Sequence, residues 1–216
     1  MNIKKSAKTG ILVLSVAALA YVGGTMAYLT DYDTAANEFT VGKIDIELQE
    51  PTWKPEEHKK LVPTETIKKD PQVKNTGVND AYVYLEVSVP MRNVVTADAS
   101  GNRVNAKNME LFTFSSAQEW SLIDSYVKGE NKIYLYAYTQ IVKPNQTTKP
   151  LFQQMTFANI VEGQLDGKTL NVPVRAYAIQ TANTGENKTS ITEQAKEAFK
   201  KYSNQNQGQK GTVTQK

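Results

Sequence analysis

Apolar and polar positions alternate along this chain in short runs, and the pattern recurs from residue 39 almost to its end. Residues 39–48 set Ile44, Ile46 and Leu48 against Lys43, Asp45 and Glu47, and a period of two with one wet face predicts a strand. The clearest case is 81–89, where Ala81, Val83, Leu85, Val87 and Val89 point one way and Tyr82, Tyr84, Glu86 and Ser88 the other; this strand should cross the core. Residues 110–115, 120–127, 132–142, 151–161 and 169–181 read as further strands. Within them, Ile133, Leu135, Ala137 and Ile141 oppose Tyr134, Tyr136 and Tyr138, while Leu170, Val172, Val174, Ala176 and Ala178 share a face. Residues 61–75 alternate too, but Pro63 and Pro71 remove ladder donors and confine that run to an edge. Asn75-Thr76-Gly77, Gly129-Glu130-Asn131, Pro144-Asn145-Gln146 and the pair Gly163 and Gly167 supply turns. Residues 49–60, with two prolines and many charges, read as an exposed loop, and polar residues 96–108 as a plain hairpin loop. So many short strands, with hardly any helix between them, predict an all-β antiparallel sandwich.

Two segments depart from this pattern. At the start, Lys4, Lys5 and Lys8 precede an uncharged apolar run from 11 to 22, Gly23 and Gly24 break it, and Thr25-Met26-Ala27 carries small residues at both ends. The run is too short for the roughly 18 to 20 residues that span a bilayer, so it reads as an export signal cut between Ala27 and Tyr28, with membrane contact only through the uncleaved leader. Near the end, Ser190 and Glu193 have capping-box spacing, and Ile191, Ala195, Ala198, Phe199 and Tyr202 recur with helical period. Lys196, Lys200 and Lys201 fall towards the expected C-terminal end of that helix. The expected organisation is a signal peptide at 1–27, a flexible N-terminal segment at 28–38, a sandwich with its C-terminal helix at 39–202, and a disordered tail at 203–216.

These residues carry a resemblance. Thr25-Met26-Ala27-Tyr28-Leu29-Thr30-Asp31, then Phe39, Gly42 and Ile44-Asp45-Ile46, look like the start of the TasA/camelysin family of exported proteins. The block from 61 to 90 resembles the family's central region, with its Pro-x-Val-x-Asn-x-Gly and Ala-Tyr-Val, and 172–180 is similar to a later part. The resemblance implies a jelly-roll fold, a dedicated signal peptidase as partner, and a subunit of an extracellular biofilm-matrix fibre. It also implies that the freed N-terminus, Tyr28, Leu29 and Asp31 through Phe39, is donated as a strand to the next subunit. Such strand addition takes affinity from main-chain hydrogen bonds and register from alternating side chains. Donation from one end into an acceptor elsewhere is heterologous and propagates without closing.

Charge alters one conclusion. The whole chain has 25 basic and 22 acidic residues, but residues 1–27 hold three lysines and no acid, leaving 22 of each over residues 28–216. The basic excess therefore says nothing of nucleic acid, and none is expected as a partner. Zero net charge permits copies to approach one another. The chain has no cysteine, so an exported fold must rely on sheet pairing and packing.

Candidate chemistry is sparse. His58 in Pro55-Glu56-Glu57-His58 is the single histidine, and there is no His-Glu-x-x-His. Zinc hydrolysis wants about three protein ligands and a base, so the cluster reads as a solvated loop, with no catalytic residue, metal or cofactor expected. Asp98, Ser100 and Asn102 have calcium-like spacing, but the glycine is misplaced and Met109 stands where a bidentate Glu is needed. The tyrosines of 82–84 and 134–138 read either as good strand formers or as an aromatic face. The expectation is a secreted structural protein of the extracellular or biofilm matrix, not an enzyme, forming fibres with itself and possible contacts to other matrix proteins. The alternatives are a camelysin-like cell-surface metalloprotease and a monomeric surface-binding module.

Overall fold

The alternating segments pair into antiparallel sheets. The computed structural model describes residues 30–32, 44–54, 61–182, 184 and 188–206. Its elements are β1 (Thr30–Tyr32), β2 (Ile46–Gln49), β3 (Thr66–Lys68), β4 (Gln72–Asn75), β5 (Ala81–Ala97), β6 (Arg103–Glu110), β7 (Phe112–Phe114), β8 (Trp120–Lys128), β9 (Asn131–Tyr138), β10 (Gln154–Phe157), β11 (Val174–Gln180) and α1 (Ile191–Asn206). The main sheet runs β1-β11-β5-β9-β8, with β6 paired to the far half of β5. A second sheet runs β3-β10-β7, and β2 pairs with β4. The fold is the expected all-β, jelly-roll-like antiparallel sandwich with a C-terminal helix.

Strand β5 organises it. Ala81, Val83, Leu85, Val87 and Val89 are fully buried on one face, against Ile46 of β2, Ile67 of β3, Val73 of β4 and Phe152. On the other face Tyr82 and Tyr84 lie buried with Leu135, Ala137 and Ile179 beneath Ala195 and Ala198 of α1. The centre of the main sheet is thus covered on both sides. The five tyrosines divide between these faces, Tyr136 and Tyr138 joining the first core with Tyr134 packed against it, and Tyr82 and Tyr84 joining the second, so they build packing and not one aromatic surface.

Five expectations are corrected. The strand at 81–89 continues to Ala97, passing Pro90 where its partner changes from β9 to β6 and Leu111 N–H donates to Pro90 O at 2.8 Å. Residues 96–108, read as a loop, contain most of β6, and the turn occupies only 98–102. Residues 103–108 are exposed on both faces and so carry no period-two signal; the ladder from Met91↔Glu110 to Ala97↔Arg103 orders them through backbone alone. Residues 61–75 split between β3 and β4, which belong to different sheets. The helix extends to Asn206, beyond Tyr202, so the three lysines are not in its last turn. In 169–181 the ladder begins only at Val174, after Pro173, while Leu170 and Val172 pack on the core without it.

The hairpin reading of Asp98 holds. Its Oδ1 accepts N–H from Ser100 and Asn102 at 2.8 and 2.9 Å, and its Oδ2 accepts from Asn102 Nδ2 at 3.1 Å. These bonds hold its carboxyl below the usual carboxylate range, the Asn102 side chain foremost.

Candidate strand-acceptor edge

Strand β11 lies next to the end of the main sheet, and the strand outside it comes from the chain's N-terminal part. Residues 30–32 pair antiparallel with β11 in the register Thr30↔Ile179, Asp31↔Ala178 and Tyr32↔Tyr177. Three residues make a short strand, so few main-chain bonds hold this outermost position. Without it the whole of β11 becomes an edge, presenting unpaired N–H and C=O groups that template strand addition.

The walls beside this edge differ in character. On the core side Ala176 and Ala178 are fully buried and small. On the helix side the row is Arg175, Tyr177 and Ile179. Ile179 is covered by α1, and the Tyr177 ring packs against Phe199 at 5.8 Å and Tyr202 at 6.4 Å between centroids. Arg175 Nη1 donates to Glu86 Oε1 at 3.3 Å, and the Tyr177 hydroxyl donates to Glu86 Oε2 at 3.4 Å. Burial, then the Glu86 carboxylate, pushes the Tyr177 phenol well up from its ordinary value. These groups can position an added strand; none forms a nucleophile–base pair.

Of the sequence-predicted residues, Asp31 falls in β1, opposite Ala178. Thr25, Ala27, Tyr28, Leu29, Phe39 and His58 lie outside the described residues. The acceptor side was not legible: alternation in 174–180 announces a strand but not its place at the end of a sheet, which depends on pairing with β5, some ninety residues away in sequence.

A second concavity lies elsewhere. A cleft of about 1160 Å³ has Ile67, Phe112 and Met155 at its floor, with Trp53, Leu61 and Lys69 among its walls. Lys69 is buried, paired with Glu50 Oε1 at 2.6 Å and set 4.8 Å from the Trp53 ring centre. Among the described residues no group of three or more His, Cys, Asp or Glu side chains is placed to hold a metal ion. Among them, too, no helix is long and apolar enough to cross a membrane.

The two-faced antiparallel sheet, with an N-terminal strand closing one edge, defines the chain as a jelly-roll-like β-sandwich protein. A family model described as camelysin metallo-endopeptidase matches residues 2–115, from the N-terminal segment to just past β7. The chain belongs to that family, which the TasA/camelysin resemblance anticipates. No match is found among curated proteins or among solved structures.

Proposed function

We propose that the chain is a secreted subunit of an extracellular or biofilm-matrix fibre, assembled by transfer of its N-terminal strand from its own β11 to the β11 of the next copy. The observation that supports this reading is the pairing of Thr30–Tyr32 with β11 at the edge of the main sheet. The same hydrogen-bonding positions serve equally for residues 30–32 of a neighbour, so exchange changes the partner without changing the ladder. Cutting between Ala27 and Tyr28 frees the segment from the membrane and starts assembly. Self is the main partner, with a signal peptidase acting before it.

The test compares residues 28–216 with 39–216 by sedimentation and electron microscopy across concentration. Fibres are expected from the longer form alone. If both remain monomeric, or both polymerise, strand transfer is not the mechanism.

The family description favours a second reading, a metallo-endopeptidase of the cell surface. Trp53 and Leu61, on either side of the segment bearing His58, both line the large cleft, which would then receive the peptide. Peptide cleavage that a chelator abolishes and that His58→Ala removes would establish it; activity indifferent to both would dismiss it.

A further inference from the structure

Resting on the strand-transfer reading, the structure assigns to the second half of α1 a positioning role: it forms a clamp governing how firmly β11 holds an added strand, the occupant being residues 30–32 of a second copy. Three observations converge on this. Tyr177, in register with position 32 of the added strand, is ringed by Phe199 and Tyr202, which touch each other at 5.7 Å between centroids. Phe199 also packs on buried Tyr84 at 5.0 Å, and the Tyr84 hydroxyl donates to Ala195 O at 2.7 Å, fixing the helix to the centre of the sheet. At the exit of β11, Lys201 Nζ donates to Thr184 O at 2.9 Å while Thr184 Oγ1 donates to Gln180 O at 2.6 Å, joining helix and strand end.

On its inner side β11 is held by its ladder with β5; its outer backbone groups receive a strand. An edge strand so placed twists and frays unless its side chains are fixed, and the aromatic group fixes it at the register an incoming strand must meet. Undocking the end of α1 takes Phe199 and Tyr202 from the Tyr177 ring, loosens the edge and releases whatever strand occupies it. The helix is therefore a control point for strand release as well as a cover for the core.

The experiment is site-resolved amide hydrogen exchange on the full chain carrying Phe199→Ala, with Phe199→Tyr as the conservative control. At least tenfold faster exchange at 30–32 and 177–180 is expected, with 84–88 unchanged and protection restored by Phe199→Tyr. If Phe199→Ala exposes the whole sheet, Tyr202→Ala, at a half-buried position near the end of the helix, supplies the same readout. Unchanged exchange at 30–32 and 177–180 in a folded variant overturns the clamp whether or not fibres form. Faster exchange there, with no fibres from the wild-type chain, upholds the clamp while the assembly reading fails.

Discussion

Asn75 shows how much one residue can carry. It is fully buried, and its Nδ2 donates to Asn79 O and Val142 O at 2.8 and 2.9 Å while its Oδ1 accepts Gly77 N–H at 3.0 Å. Its backbone N–H donates to Gln146 O, and its carbonyl accepts from Asn145, which adopts a left-handed φ of 65°. One amide thereby ties the end of β4 to two turns, which explains physically why an Asn stands before Gly77 in the Pro-x-Val-x-Asn-x-Gly run. Asn75→Ala removes three side-chain hydrogen bonds and leaves Asn79 O without this donor, while Gly77 N–H keeps Asp45 O and Val142 O keeps Ala81 N–H; a loss of about 2 kcal/mol is expected from unfolding in urea, seen as a lower midpoint with an unchanged slope. Both turns were legible in the sequence; their contact through Asn75 was not, because the second lies some seventy residues further on.

At the scale of elements, legibility followed side-chain burial. The core faces of β5 and β11 could be read because alternate residues are apolar, and α1 because its stripe and cap are both written in the chain. Ser190 Oγ accepts Glu193 N–H at 3.2 Å, and the Glu193 carboxylate accepts from Thr189 Oγ1 at 3.1 Å and from Ser190 as well. Ser190→Ala should cost about 1 kcal/mol, measured by thermal or urea unfolding, with a Ser190→Asp variant retaining most of the stability. Strand β6 could not be read, since residues 103–108 face solvent on both sides and only Met109, near its end, reaches the core. Its order comes from β5, and sequence periodicity reports burial, not hydrogen bonding. The candidate edge shares this blindness, because position in a sheet is a property of partners and not of the strand itself.

For the molecule as a whole, the face beneath α1 makes stability depend on alkaline pH. Burial first, and neighbouring Tyr82 second, push the Tyr84 phenol well above its ordinary value of 10.0, and Tyr177 is raised as well. An unfolded chain loses these protons near pH 10 while the native one keeps them. The stabilisation is therefore fully present below pH 10 and declines as pH rises beyond it. Urea midpoints measured from pH 8 to 11 should fall above 10, and Tyr84→Phe should shallow that fall. The three-residue β1 has a different consequence under the strand-transfer reading. A subunit whose own strand returns to its own β11 is a self-capped chain end, and ring closure through the short stretch between Tyr32 and Ile44 competes with growth at an effective concentration on the order of millimolar. Dilute subunits then remain closed, and polymer appears only where secretion crowds them or an existing fibre tip offers more contacts than the subunit offers itself.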